Sequence, residues 1–456
     1  MIESRTEQGR PARRSSKEWG EEIMSPTVDL TTALDARPMG RFQQTVVALC
    51  FLVAFVDGYD LVAISYAAPA MRAAGLFEPT QGSIFSAALL GAMVGNFVCG
   101  PLGDTHGRRK VIIFSTFVFA TATLATAFAT SFPILLVIRF VAGFGLGFAN
   151  ISGYALSAEY APRKRGESVV MFVAAGYTIG AALGGVVSAF LIPALGWPSV
   201  FYVGGTCGLL LAGLLVLKLP ESTKFLVVRH ERHSEVTEIL RKIDPSRQIT
   251  SETHYVIEEE SKKGFSGRLL FSPGLAAATL LFWVMCFMNL MELFFVQQWL
   301  PTLAASAGIN LSSAVSSGAV LQIGALSGAL IYGFLLQSYH RPFLLLAAGF
   351  SCGAASFLLL GHTVGSLPLF MLTVFATGLF VPGIQIALNG IIALYYPTFV
   401  RSTGLSWAIG VGRIGSVVGP FLRACFCPGI GRHLKFCLPP HFRPLSRPLR
   451  RSRWLK

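Results

Sequence analysis

The stretch GPLGDTHGRRK, residues 100–110, decides the fold class. It places three consecutive basic residues between two long apolar runs, 82–103 and 111–130. A helix of about 20 apolar residues is long enough to cross the hydrocarbon core of a bilayer. The stretch is therefore predicted to be a short loop that joins two membrane spans on one side of the membrane.

The whole chain has the composition of a membrane protein. Of its 456 residues, 53% are hydrophobic and 13% are charged, and the mean hydropathy is +0.60. Soluble domains contain about 25% charged residues, so a soluble protein is excluded. The apolar content also excludes a disordered chain, and the absence of any Gly-Lys pair excludes a GxxxxGK[ST] phosphate-binding loop. The sequence predicts an all-α polytopic membrane protein.

Eleven apolar runs are predicted to be membrane spans. They are 44–69, 82–103, 111–130, 133–158, 168–190, 198–218, 272–300, 313–337, 343–361, 367–395 and 403–422. With the N-terminus in the cytoplasm, the inner loops carry 18 Lys and Arg residues and the outer loops carry one, Arg72. Because cytoplasmic loops are enriched in Lys and Arg, we expect a multi-pass protein of the inner (plasma) membrane with a cytoplasmic N-terminus.

The spans divide into two halves. The predicted domains are a cytoplasmic segment 1–43, a six-helix half 44–218, a cytoplasmic linker 219–270, a second half 271–422 with five spans, and a basic tail 423–456. Gly180-xxx-Gly184 recurs as Gly415-xxx-Gly419 at the same offset from a loop proline, which favours a duplicated bundle. The first 43 residues contain no apolar segment typical of a cleaved signal peptide.

Several motifs resemble those of the major facilitator superfamily. These motifs lie at 100–110, where Thr105 replaces a usual basic residue, and at 135–145, 159–166 and 220–226. Three more motifs, at 57–60 (DGYD), 299–302 (WLPT) and 396–413, resemble the aromatic acid:proton symporters. The resemblance implies two six-helix halves that import a small aromatic carboxylate with a proton by alternating access. Ala181 stands where exchangers of the superfamily usually carry proline, which favours symport.

Two acidic residues within the first span are candidates for proton coupling. Asp57 and Asp60 lie three residues apart, so both project from one face of a helix. Two carboxylates in a low-dielectric site do not both ionise cheaply, so one of them is expected to hold a proton. The alternative is that they pair with an arginine and stabilise the bundle. Arg139, near the end of the fourth span, is expected either to take part in proton transfer or to anchor that span at the outer surface.

Other polar and aromatic residues within the spans are candidates for substrate binding. Arg413 is predicted to bind the substrate carboxylate, because a guanidinium grips a carboxylate through two parallel hydrogen bonds. The alternative role is a counter-ion for Asp57 or Asp60. Asn289 and Glu292 belong to a polar stripe that is expected to bind ring hydroxyls, with a plain interhelical hydrogen bond as the alternative. Tyr59 and Trp407 are candidates to stack on an aromatic ring.

Charged residues in the inner loops are expected to form gates. Asp104 and Arg108 lie four residues apart and are predicted to pair across one helical turn. Glu159 and Arg165 are predicted to form a second latch. Arg401, in the corresponding loop of the second half, is assigned to the same role.

The chain changes character after Leu422. The segment 423–456 carries nine Lys and Arg residues and no acidic residue, and it contains no run long enough for a twelfth span. The interpretation that we prefer is a shifted reading frame. A basic lipid- or nucleic-acid-binding tail is one alternative. Another is a zinc knuckle formed by Cys425, Cys427, His433 and Cys437, whose spacing fits no common site.

The sequence predicts a transporter and not an enzyme. We expect a proton-coupled symporter for small aromatic carboxylates, with no cofactor, no metal and no nucleic-acid partner. Its partners are expected to be the aromatic acid, a proton and membrane lipids, and the protein is expected to be a monomer. The alternatives are a sugar or general metabolite symporter, suggested by Pro220-Glu221-Ser222, and a truncated product that does not transport.

Overall fold

A computed structural model describes ten ranges of the chain. They are 27–29, 39–75, 81–162, 165–228, 233–243, 254–256, 270–272, 275–338, 341–396 and 401–433. The predicted N-terminal segment, linker and tail lie partly or largely outside these residues. The side chains of Asp104 and Arg401 also lie outside the described part of the structure.

Six long helices form the first half. They are α1 (Arg41–Ala73), α2 (Gln81–His106), α3 (Arg108–Thr126), α4 (Phe132–Tyr160), α5 (Gly166–Leu195) and α6 (Pro198–Lys218). Pro133 and Pro198 occupy the first turns of α4 and α6, where a missing N–H leaves no hydrogen bond unmade. The connections between these helices are short, so consecutive helices are antiparallel.

The linker and the second half follow. Short elements of the linker are α7 (Thr223–Val228), α8 (His233–Ile243) and the strand β2 (His254–Val256), which pairs in parallel with β1 (Thr27–Asp29). The second half contains α9 (Ala276–Ser306), α10 (Leu311–Ser338), α11 (Pro342–Thr363), α12 (Leu367–Tyr395) and α13 (Arg401–His433). We call the end of the bundle where α1 begins the linker end, and the end where α1 finishes the distal end.

The helices lie where the spans are predicted. They do not establish how many of these spans cross the membrane. Nine helices within the described ranges are long and apolar enough to cross a membrane, and α2 contributes a shorter apolar stretch, Gly82–Asn96. The helix α13 differs from its prediction, since it continues beyond Leu422 to His433. Arg423 and Ala424 are good helix formers, so the basic composition of the tail does not end the helix at its first residue.

Glycines allow the same close helix pairing in both halves. A side-chain carbon at Gly180 of α5 would lie 1.9 Å from the carbonyl oxygen of Phe55 in α1. At Gly415 of α13, it would lie 2.2 Å from the carbonyl oxygen of Phe287 in α9. Only glycine permits backbones this close, as is common in membrane bundles where lipid provides no hydrophobic drive. The repeated glycine motif therefore builds equivalent contacts in the two halves.

The second half leaves α11 more exposed than its counterpart α3. In α3, nine of 19 residues are buried, whereas in α11 five of 22 are buried. The difference arises because α6 covers α3, with Gly205 against Leu124 and Gly208 against Ala120. No helix within the described residues covers α11 in the same way.

The interpretation of the basic tail as the product of a shifted reading frame can be tested on the coding DNA. If the frame shifts after Leu422, one of the other two frames of the coding DNA is expected to encode a further apolar run of about 20 residues, the length of one membrane span. Sequencing of the coding DNA and translation of both frames checks this. Polar or stop-containing sequence in both frames would instead leave the basic tail as a genuine part of the protein.

The two halves meet towards the distal end. Ser86 of α2 donates a hydrogen bond to the carbonyl oxygen of Val417 in α13, at 2.8 Å. Ser312 of α10 donates to the carbonyl oxygen of Ala189 in α5, at 3.2 Å. That carbonyl lacks its usual helical partner, because Pro193 has no N–H to donate to it. The hydrogen bonds that we find between the halves thus join them from the middle to the distal end.

Candidate functional site

The two acidic residues of α1 lie in different surroundings. Asp57 and Asp60 are buried, with 2% and 1% of their surfaces exposed. Helix α1 is central, since 22 of its 33 residues are buried. The two carboxylates have different partners: Asp60 contacts Thr123 and Arg139, whereas Asp57 interacts with Tyr154 and Tyr177.

Asp60 belongs to a charged cluster inside the first half. Thr123 of α3 donates a hydrogen bond to Asp60 Oδ1, and the guanidinium of Arg139 lies 3.6 Å from the same oxygen. Arg139 also donates to Thr126 Oγ1 at 2.6 Å and lies over the ring of Phe201, 5.3 Å from its centroid. Asp60 therefore lies where α1, α3 and α4 meet.

Arg139 does not anchor α4 at the outer surface. Its side chain is 1% exposed, because Asp60 offers the opposite charge on the neighbouring helix. Asp60 Oδ2 and Arg139 Nε have no hydrogen-bond partner among the described residues. A buried ion pair with unmet hydrogen bonds contributes little net stability.

Asp57 lies at a second site, between the halves. Tyr154 of α4 and Tyr177 of α5 both interact electrostatically with Asp57 and with Arg413 of α13. The Tyr177 hydroxyl also accepts a hydrogen bond of 2.9 Å from Gln297 of α9. We call these five residues the central site. Both halves contribute residues to it.

Arg413 provides the positive charge of the central site. It is half-buried and forms no ion pair with the residues that the structure describes. Its backbone is held by the close packing of α13 on α9, where Gly412 meets Leu290 and Gly415 meets the carbonyl of Phe287. A guanidinium that is held in place and has no carboxylate partner is suited to bind an anion.

The polar stripe of α9 contacts two different regions of the protein. Asn289 is 2% exposed and donates to Gln385 Oε1 of α12 at 2.6 Å. Gln297 faces the first half, and Gln298 donates to the carbonyl oxygen of Leu61 at 3.3 Å. Glu292 is half-buried and forms no ion pair within the described part of the chain. The stripe therefore contacts both the interior of the second half and the central site.

Two aromatic candidates lie away from the central site. The ring of Tyr59 packs against Gly184 and Gly204, and its hydroxyl donates to the carbonyl of Val200 at 2.9 Å. Tyr59 therefore packs inside the first half. Trp407 is 41% exposed and stacks on Trp283, with 5.7 Å between ring centroids. The structure brings Tyr154 and Tyr177 to the central site in their place.

A polar network joins the loops at the linker end of the first half. Arg108 forms an ion pair with Glu159, which also accepts a hydrogen bond of 2.5 Å from Ser222. Glu221 Oε1 accepts from the backbone N–H groups of Arg109 and Ser222, both at 2.9 Å. The first of these N–H groups belongs to the first turn of α3, where a carboxylate is stabilised by the helix dipole.

The network differs from the predicted latches. The observed pair is Arg108 with Glu159, and Glu221 is an additional member that sequence reasoning noted only as part of a motif. Arg165 is exposed. The predicted contacts of Asp104 and Arg401 fall on side chains outside the described residues.

We expect Glu159→Gln to destabilise the protein. Arg108 would lose its charged partner, and a hydrogen bond to a charged group contributes about 1.5–3 kcal/mol. Unfolding of the purified protein in detergent measures the loss. Glu238→Gln is the matched control, because Glu238 pairs with Lys242 on the exposed surface of α8, where solvent screens the interaction. Equal stability of the two variants would contradict a structural role for the network.

No group of three or more His, Cys, Asp or Glu residues in the described ranges has the arrangement of a metal site. The possible zinc ligands of the tail lie outside the part of the chain whose side chains are described.

Comparison with known proteins identifies the family. Residues 50–420 match the family model described as Major Facilitator Superfamily. The chain belongs to this superfamily. The superfamily match confirms the prediction of a transporter rather than an enzyme. A multi-pass membrane protein follows from the same match together with the apolar helices.

Two of the curated relatives are named as transporters of aromatic acids. A 4-hydroxybenzoate transporter of Pseudomonas aeruginosa is 35% identical and is aligned over 87% of this chain and 89% of its own length. A gallate transporter of Pseudomonas putida is 33% identical over 90% of this chain and 92% of its own length. The resemblance to aromatic acid transporters that the motifs indicate is thus confirmed by relatives of similar length.

Solved superfamily structures share the fold. A bacterial homologue of the human lysosomal transporter Spinster, in an inward-facing and unoccupied conformation, gives a TM-score of 0.68 at 17% identity and covers 88% of this chain and 86% of its own. A D-xylose-proton symporter gives 0.63 at 17% identity, with coverage of 86% and 94%. The prediction of an all-α major facilitator fold is confirmed.

Proposed function

We propose that the protein imports small aromatic carboxylates, such as hydroxybenzoates, together with protons. The observation that carries the proposal is Arg413, a half-buried guanidinium at the junction of the halves without an ion-pair partner among the described residues. A permanent positive charge in the membrane interior is costly and is retained where it binds an anion. The relatives named as transporters of 4-hydroxybenzoate and gallate support an aromatic acid as that anion.

Proton coupling follows from the position of Asp57. Asp57 and Arg413 interact with the same two tyrosines, so an ionised Asp57 offsets the positive charge that a substrate carboxylate requires. Protonation of Asp57 removes the competing negative charge and strengthens the binding of the substrate. Release of the substrate favours loss of the proton by the reverse argument. Binding of the two is therefore mutually favourable, as linkage requires.

Asp60 and Arg139 provide a second place for a proton within the first half. A proton on Asp60 neutralises its charge and weakens its pairing with Arg139, which then loses its only carboxylate partner in the described cluster. Thr123 and Thr126 remain to hold the two side chains. The proposal is that protonation here changes how α4 packs on α1, and so couples the proton to the movement of the halves.

The conformation described supports alternating access. The halves are joined from the middle to the distal end, as in a carrier whose site faces the linker end. The excess of basic residues in the linker-end loops supports a cytoplasmic linker and N-terminus. The distal closure then corresponds to a carrier that is open to the cytoplasm. We propose that this carrier lies in the inner membrane as a monomer.

The alternative substrate class is a sugar or another neutral metabolite. The structural likeness to D-xylose symporters is at 17% identity and supports the fold alone. A neutral sugar brings no negative charge to Arg413, whereas a carboxylate does. A truncated product that does not transport is the other alternative.

Uptake of labelled compounds tests the proposal. We expect cells that express the protein to accumulate 4-hydroxybenzoate or benzoate, and to lose the accumulation when a protonophore collapses the proton gradient. Xylose and glucose serve as matched competitors. Competition by a sugar, with none by benzoates, would overturn the aromatic acid assignment. Absence of all uptake by a correctly inserted protein would favour the truncated product.

A further inference from the structure

Three side-chain amides form a hydrogen-bonded chain in the second half. Asn289 Nδ2 of α9 donates to Gln385 Oε1 of α12 at 2.6 Å. Gln385 Nε2 donates in turn to Asn389 Oδ1 at 2.9 Å. We call these residues the amide chain. It connects α9 to α12 and contributes no side chain to the central site.

The amide chain ends at an acceptor without a donor. Asn289 Oδ1 is buried and has no hydrogen-bond partner among the described residues. The residue as a whole is also buried, with 2% of its surface exposed. A buried polar atom without a partner is costly. Because Asn289 donates through its NH2 group, the chain polarises the amide and strengthens the oxygen as an acceptor. The oxygen is therefore suited to a ligand that brings an O–H group.

The acceptor lies at the same depth in the bundle as Arg413. Helix α13 packs on α9 with Gly412 against the carbonyl of Cys286 and Gly415 against the carbonyl of Phe287. Arg413 lies between these two glycines along α13, and Asn289 follows Cys286 and Phe287 within one turn of α9, so the two residues begin at a common level of the bundle. Gln385 and Asn389 are half-buried. A small molecule that carries both a carboxylate and a ring hydroxyl requires a guanidinium and a hydrogen-bond acceptor at a common level of the bundle.

We propose that Asn289 Oδ1 accepts a hydrogen bond from a ring hydroxyl of the transported acid, and that Gln385 and Asn389 hold Asn289 in place for it. The proposal rests on the proposed function and narrows its substrate class to hydroxylated aromatic acids. A site built to hydrogen-bond a hydroxyl group discriminates strongly against an analogue that lacks it, because its own polar atom is then left unpaired. The amide chain is thus a specificity-determining element separate from the carboxylate site.

The test compares two acids in the reconstituted protein. The ratio of kcat/KM for 4-hydroxybenzoate to that for benzoate is measured for the wild type and for Asn289→Leu, which has similar size but accepts no hydrogen bond. We expect the ratio to fall about ten-fold or more, the effect of losing one good hydrogen bond, with benzoate transport retained. Asn96→Leu is the matched control, since Asn96 packs beside Gly147 in the first half, and we expect it to leave the ratio unchanged.

A second measurement needs no variant. 4-Methoxybenzoate keeps the ring oxygen but has no hydrogen to donate, so we expect it to compete no better than benzoate for uptake by the wild type. Competition equal to that of 4-hydroxybenzoate would overturn the proposal, as would an unchanged ratio in Asn289→Leu. A wild type that transports neither acid would instead overturn the proposed function, so the two failures are distinguishable.

Discussion

Arg413→Lys is expected to raise the apparent KM for the transported acid about ten-fold or more. Lysine keeps the charge but loses the planar fork that contacts both oxygens of a carboxylate. A hydrogen bond to a charged group contributes about 1.5–3 kcal/mol, and 1.4 kcal/mol corresponds to a factor of about ten in affinity. Initial rates of uptake over a range of substrate concentrations measure the change.

The matched control for this substitution is Arg341→Lys. Arg341 lies exposed just before α11, so the same change of side chain is expected to leave the KM as it is. An Arg413→Lys protein with wild-type KM would mean that Arg413 is a structural counter-ion and not a ligand of the substrate.

Asp57→Asn is expected to abolish accumulation against a gradient while leaving the protein folded and inserted. Asparagine occupies the same space but neither gains nor loses a proton, so substrate movement is separated from the proton gradient. Exchange of labelled for unlabelled acid across proteoliposomes needs no net proton movement and is expected to persist. Accumulation and exchange are therefore measured side by side.

Asp60→Asn is expected to abolish accumulation too, with an added loss of stability. Its partner Arg139 would remain buried without a negative charge, and breaking a buried ion pair in this way costs about 3–5 kcal/mol. Glu238→Gln, a charge removal on the exposed linker helix α8, is the control for both variants. Normal accumulation in Asp57→Asn and in Asp60→Asn would remove both residues from the coupling mechanism.

Much of the fold is readable from the sequence, because the bilayer imposes a length on every span and the loops carry the basic charge. The candidate charged residues are also readable from the sequence, because each interrupts an apolar run. They are Asp57, Asp60 and Arg413. Their partners are harder to find. Arg139 lies near the end of its span, which suggests contact with the surface, but its partner Asp60 belongs to another helix and is not apparent from spacing.

The aromatic residues show where sequence reasoning fails. Helix α1 is enclosed by neighbours, so apolar periodicity does not tell which of them Tyr59 faces. Tyr154 and Tyr177 are among 11 Tyr and 36 Phe residues in the chain, and nothing in composition separates them from packing residues. The pairing of Asn289 with Gln385 depends on the register between α9 and α12, which spacing within one helix does not contain.

The hydrogen bond from Ser312 to the carbonyl of Ala189 has a consequence for hydration. Most helical carbonyls already accept an N–H bond from the next turn, so separating the halves costs them little. The Ala189 carbonyl has no such bond because of Pro193, and it loses its partner when α10 moves away from α5. A water molecule must then replace Ser312. In the proposed cycle, opening of the distal end would therefore bring water to this point on α5.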